Sequence, residues 1–136
     1  MPKIECKESA KVRFFLSVNA GKNSLAIDLK HEQAGAVVHR LVSQADVVVQ
    51  NFKAGVIDRL GFGYETLSAT NPGLVYCSIS GYGQKGPRAY AAAYDPAVQS
   101  ASGMMQMVGT ENSGPLRTGY PLVDMTTGLT AAIAIC

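Results

Sequence analysis

Apolar residues at Ala34, Val37, Val38, Leu41 and Val42 recur at i, i+3, i+4, i+7 and i+8, the spacing of one buried helix face. Before this stripe, Ser24–Leu29 (SLAIDL) reads as a short strand. After it comes DVVVQNF, three consecutive valines bounded by polar residues, which suits a strand buried on both faces. Strand, amphipathic helix and buried strand make a βαβ unit. A second helical stretch spans Gly55–Leu60 and Tyr64–Ala69, interrupted at GFG, and Asn71-Pro72-Gly73 supplies a turn before the apolar strand LVYCSI. The continuing alternation predicts an α/β fold in which helices cover a parallel sheet.

Past Ile79 the pattern changes. The run SGYGQKGPRAYAAAYDP spaces glycines and prolines closely, which predicts an irregular loop at a strand's carboxyl end, where open α/β sheets bind ligands. Helical spacing returns in AVQSASGMMQMVG, and TENSGPLRTGYP is a polar connection. In VDMTTGLTAAIAIC the residues Met125, Leu129, Ala132, Ile133 and Cys136 mark a last helix with an apolar face.

The composition narrows the class without choosing a function. With 136 residues, 47% of them hydrophobic and 16% charged, the chain has the make-up of one globular unit. A net charge of +2 is far from the clustered basic face that nucleic-acid binding requires. The apolar stretches Ala89–Ala93 and Leu129–Cys136 are too short to span a bilayer, and no targeting signal is visible, so a cytoplasmic protein is expected. Cys6, Cys77 and Cys136 are odd in number and widely spaced, which predicts free thiols and neither a disulfide framework nor a zinc motif. Cys77, in the run LVYCSI, reads as a small buried residue.

Candidate chemistry is locally ambiguous. Asp124 stands at the start of the last helix, where it can cap exposed N–H groups, and where the helix dipole would equally favour an ionised nucleophile. Asn51-Phe52-Lys53 puts an amide, a ring and a cation at a strand-to-helix corner that suits a nucleotide-like ligand or a self-satisfying loop. Gly81, Gly83 and Gly86 match neither dinucleotide nor phosphate-loop spacing and read as turn residues. His31 and His39 fall on the first helical segment, with His39 off its apolar face, and receive no role.

Taken in order, the segments decide more than any one of them. NAGKNSLAIDL, ADVVVQNFKAGVIDRLGFGYETLSATNPGLVYCSISGYGQKGP, the pair Tyr94-Asp95, and PLVDMTTGL together resemble the family III CoA-transferases, from about Phe14 onward. The resemblance implies a Rossmann-like parallel sheet with flanking helices, the chain 1–136 forming part of a large CoA-binding domain whose smaller companion domain is absent. It implies Asp124 as the catalytic aspartate, which attacks an acyl-CoA thioester, with Tyr94 and Asp95 as an active-site pair. Asn51 and Phe52 correspond to the family's CoA-contacting residues, and Gly81 and Gly83 lie on the loop approaching the pocket. No metal and no tightly bound cofactor are implied; the CoA thioester is substrate, a carboxylic acid is acceptor, and the full-length parent is an interlocked homodimer.

Two alternatives remain within the resemblance. A related branch, the α-methylacyl-CoA racemases, epimerises instead, but uses an acid/base histidine where this chain has Tyr94, and a phenol with an ordinary pKa of about 10 serves that role poorly. The other is a CoA-binding fragment without turnover, since an incomplete chain is expected to be weakly active or inactive alone. At the amino end, PKIECKESAKVR keeps only a recognisable KIE, and Lys22-Asn23 stands where the family pattern has Lys-Arg, one cation fewer for a phosphate.

Overall fold

The structure, a computed structural model, describes residues 10–136. Cys6 and the KIE segment lie outside the described residues. In chain order the elements are helices α1 (Ala10–Val18) and α2 (Ala34–Val42), strand β1 (Val47–Gln50), helices α3 (Val56–Arg59) and α4 (Tyr64–Thr70), strand β2 (Val75–Ser78), and helices α5 (Asp95–Ala101), α6 (Met104–Val108) and α7 (Leu122–Ile135). The strands pair in parallel, Val47 opposite Val75 through Gln50 opposite Ser78, with α3 and α4 forming the crossover. This is the α/β arrangement that the alternating pattern predicts.

The core forms where α2, α3 and α4 meet the sheet. Ala34, Val42, Ile57, Phe62, Leu67 and Leu74 are buried together, and Ile27, Leu29, Val38, Val48, Leu60 and Tyr76 pack against them. Asn71 fastens the return from α4 to β2. Its amide donates to the carbonyls of Val42 and Ala45, and its Oδ1 accepts the Gly73 N–H, closing the turn expected at Asn71-Pro72-Gly73.

Four expectations need correction. Ser24–Leu29 forms no strand: Ile27 and Leu29 reach the core with the expected alternation, yet no neighbouring strand among the described residues offers it a ladder. β1 is not buried on both faces, because Val49 is 56% exposed on an uncovered side of a two-stranded sheet. Val37 and Leu41 are likewise exposed, so only part of the α2 stripe meets the core. In α7 the stripe Met125, Leu129, Ile133 and Cys136 faces outward, Ile133 being 79% exposed; Val123, Thr127, Ala131 and Ile135 form the half-buried side. The helix is apolar nearly all round, so its spacing did not say which side is covered. Helix α1 has no counterpart in the hydrophobic pattern; Phe14, Phe15 and Leu16 on it are consecutive, and these three are exposed. No described helix is long and apolar enough to cross a membrane.

Candidate functional site

The carboxyl ends of both strands open into one cleft of about 580 Å³. Its walls come from the corner after β1 (Asn51, Phe52, Lys53), the loop after β2 (Ile79, Ser80, Gly81), the alanine-rich segment through Ala93, and the first turns of α5 and α7. Tyr94, Asp95 and Asp124 all line it. Asn51, Phe52 and Gly81 line it too, while Gly83 and Gly86 lie outside this lining.

Each position has a local cause. Asn51 follows the last residue of β1, and its side-chain amide donates to the Ile79 carbonyl at 2.8 Å, joining the two strand ends where the ladder stops. Phe52 is then presented at the mouth, its N–H held by the side chain of buried Gln50 at 2.8 Å. At Gly81 any Cβ would collide with the Ala93 Cβ, so the missing side chain lets the two loops close on each other. Gly83 serves a different end, its φ of 83° marking a turn. Tyr94 is 79% exposed at the start of α5, its ring free to meet a ligand.

Asp95 and Asp124 divide the roles that the sequence left open. The amino end of α7 has no cap of its own, since Pro121 occupies the N-cap position. Asp95 supplies it from 28 residues upstream, its Oδ2 accepting the N–H of Val123 at 2.7 Å and, one residue further on, that of Asp124 at 3.1 Å. Its Oδ1 accepts from the Gln99 amide one turn along α5. Three N–H donors therefore converge on a carboxylate that is only 7% exposed, an arrangement suited to an acceptor-only group.

Asp124 is consequently no cap. Its side chain makes no hydrogen bond among the described residues, and it stands in the first turn of α7 at the cleft wall. Although Asp124 is exposed to the cleft, partial desolvation there, and secondly the like charge of Asp95, push its carboxyl above the usual aspartate value. The expectation that the helix terminus favours the ionised form is outweighed. The N–H groups that would solvate Asp124 point at Asp95 instead.

Sequence reading passed over Gln99, Thr118 and the cleft residues Thr127 and Gly128. Gln99 is 1% exposed, and its i+4 spacing from Asp95 on a helix was a usable signal. Ala89–Ala93 also becomes intelligible, since small side chains leave room for a ligand against the α5 and α7 turns. Cys77 is half-buried in β2 and outside the cleft. No cluster of three or more metal-ligating side chains occurs among the described residues.

The family model for CoA-transferase family III matches residues 2–136, carrying the likeness beyond Phe14 to the amino end. The chain belongs to CoA-transferase family III. It is 47% identical over 106 residues to an acetyl-CoA:oxalate CoA-transferase of Acetobacter aceti, covering 78% of this chain and 27% of that one. It is 41% identical over 128 residues to a succinate–glutarate CoA-transferase of Agrobacterium fabrum, covering 94% of this chain and 32% of that one. Among solved structures, a CAIB/BAIF family protein from Brucella suis superposes with a TM-score of 0.81 at 44% identity, over 85% of this chain and 30% of that one. The chain thus spans about a third or less of the length of these family members.

Proposed function

We propose that the protein carrying this chain transfers CoA from an acyl-CoA thioester to a carboxylic acid, with Asp124 as the nucleophile. The observation that carries the reading is the unpartnered Asp124 carboxylate, raised above its ordinary range, in a cleft shared with Asn51, Phe52 and Tyr94. A more basic carboxylate is a better nucleophile toward a thioester carbonyl. One Asp124 oxygen bonds to the acyl carbon and the CoA thiolate leaves, giving a mixed anhydride. The thiolate then attacks the aspartyl carbonyl, expelling the donor acid and leaving an aspartyl-CoA thioester. The acceptor carboxylate repeats the exchange in reverse order, ending as the new acyl-CoA with Asp124 free. Each step trades one activated acyl bond for another, so every barrier is modest.

In this reading Asn51 and Phe52 receive the CoA, Tyr94 meets the acyl group, and Gly81 allows the loops to close over the chain's own cleft. Gly83 contributes the turn of the approaching loop rather than a contact. Asp95 positions Asp124 through the α7 backbone and does not act on substrate. The names of the family relatives support small acyl-CoA donors and dicarboxylate acceptors. The outward apolar stripe of α7 supports its burial in a larger domain and an interlocked homodimer, and the unpaired Cys77 and Cys136 agree with a cytoplasmic setting.

The test supplies acetyl-CoA with oxalate, and succinyl-CoA with glutarate, in deuterated water. CoA exchange without deuterium at the α-carbon supports the transferase; α-deuteration without exchange favours the racemase branch. CoA binding with no adduct on Asp124 identifies a binding module without turnover.

A further inference from the structure

A polar chain, buried at Gln99 and Asp95, runs behind the cleft and ends on the backbone of Asp124. The Thr118 hydroxyl donates to the Tyr120 carbonyl at 2.8 Å and accepts from the Gln99 amide nitrogen at 2.9 Å. The Gln99 carbonyl oxygen accepts the Thr118 N–H at 3.0 Å, and the same amide nitrogen donates to Asp95. Asp95 then holds the N–H groups of Val123 and Asp124. Both hydrogens and the oxygen of the Gln99 amide are used, so its orientation is set from two sides. With the amide reversed, Gln99 would present oxygen to the Asp95 carboxylate and nitrogen to the Thr118 N–H. The network therefore has one polarity.

Packing alone does not require an amide at this position. A buried side chain of similar volume and no polar atoms would fill the same space without needing three hydrogen bonds. What the amide adds is a fixed rotamer for Asp95, and through it a fixed place for the first turn of α7. That turn carries Asp124, whose side chain has no hydrogen-bond tether among the described residues.

We propose that Gln99, oriented by Thr118, is a positioning residue that locks Asp95 onto the amino end of α7 and so sets the placement of Asp124 in the cleft. This rests on Asp124 being the nucleophile. Without the lock, Asp95 leaves the helix end, and Asp124 exchanges a like charge for free N–H donors. The other titratable side chains lining the cleft are Tyr94 and Lys53.

The test uses the full gene product with Gln99→Leu, Thr118→Val and Thr118→Ser. Gln99→Leu is expected to slow formation of the Asp124–CoA adduct about 10- to 100-fold, with KM for the acyl-CoA within about twofold. The acid limb of its pH–rate profile moves to lower pH, and amide exchange at Val123 and Asp124 accelerates about tenfold or more. Thr118→Val reproduces these changes in part, and Thr118→Ser, which keeps the hydroxyl, restores the parent behaviour. Should Gln99→Leu fail to fold, the threonine pair carries the comparison. A parent-like adduct rate in Gln99→Leu, or a slow rate with an unmoved acid limb and unchanged amide exchange, overturns the proposal while leaving the nucleophile intact. A parent protein that forms no adduct on Asp124 overturns the functional reading and the positioning role with it.

Discussion

The Asp95 carboxylate accepts the backbone N–H of Asp124 at 3.1 Å, so one acid holds the other in place through the main chain. The same contact brings two negative charges into one cleft. It accounts for both the fixed start of α7 and part of the raised carboxyl of Asp124.

Replacing Asp95 with Asn should lower stability by about 1–3 kcal/mol, because an amide nitrogen must then face either the α7 N–H groups or Gln99. Urea denaturation of the variant reads this directly. An unchanged midpoint would show that the cap contributes nothing in solution.

Asp124→Asn should abolish the CoA adduct and leave CoA binding within about threefold, since the side chain acts only once the thioester is bound. Mass spectrometry of the trapped protein checks the first part. A surviving adduct would put the nucleophile elsewhere.

The same variant has a pH signature. An aspartate whose folded pKa lies above its unfolded one favours folding in its neutral form, and that contribution is lost as pH rises through the folded value. Asp124→Asn should therefore raise Tm slightly at neutral pH, by about 1–2 °C for so exposed a group, and the difference should vanish below the ordinary aspartate range. A gain that grows on acidification contradicts the raised carboxyl.

Gly81→Ala should weaken CoA binding by forcing the loop after β2 away from Ala93, at a cost of about 1–3 kcal/mol. Ala93→Gly in the same chain removes the collision and should recover most of the loss. Calorimetric titration of CoA against the single and double variants measures both.

Leu67→Ala, at 1% exposure in the middle of the core, should cost about 2–5 kcal/mol without touching the cleft. Thermal melting compared with CoA binding separates the two effects.

Much of the scaffold was legible because it is local. Asn71-Pro72-Gly73 reads as a turn from its own chemistry, and the valines of β1 read as a strand without knowledge of their partner. The ordered segments NAGKNSLAIDL, the stretch from ADVVVQNF to GQKGP, Tyr94-Asp95 and PLVDMTTGL also sufficed to indicate the family, since a family pattern is carried by sequence order. Where apolar residues ran round a whole helix, as in α7, or alternated without a neighbouring strand, as in Ser24–Leu29, periodicity marked a segment and missed its partner.

The candidate site divides along the same line. By itself the sequence determined which acids and amides exist and that Asp124 begins α7, but it left Asp95 in the loop ahead of the helix that carries Gln99. Only the tertiary structure decided that Asp95 is the cap and Asp124 the free carboxylate. A helix-start aspartate is locally able to be either, and the choice depends on whether another acceptor, 28 and 29 residues away in the chain, already holds the N–H groups.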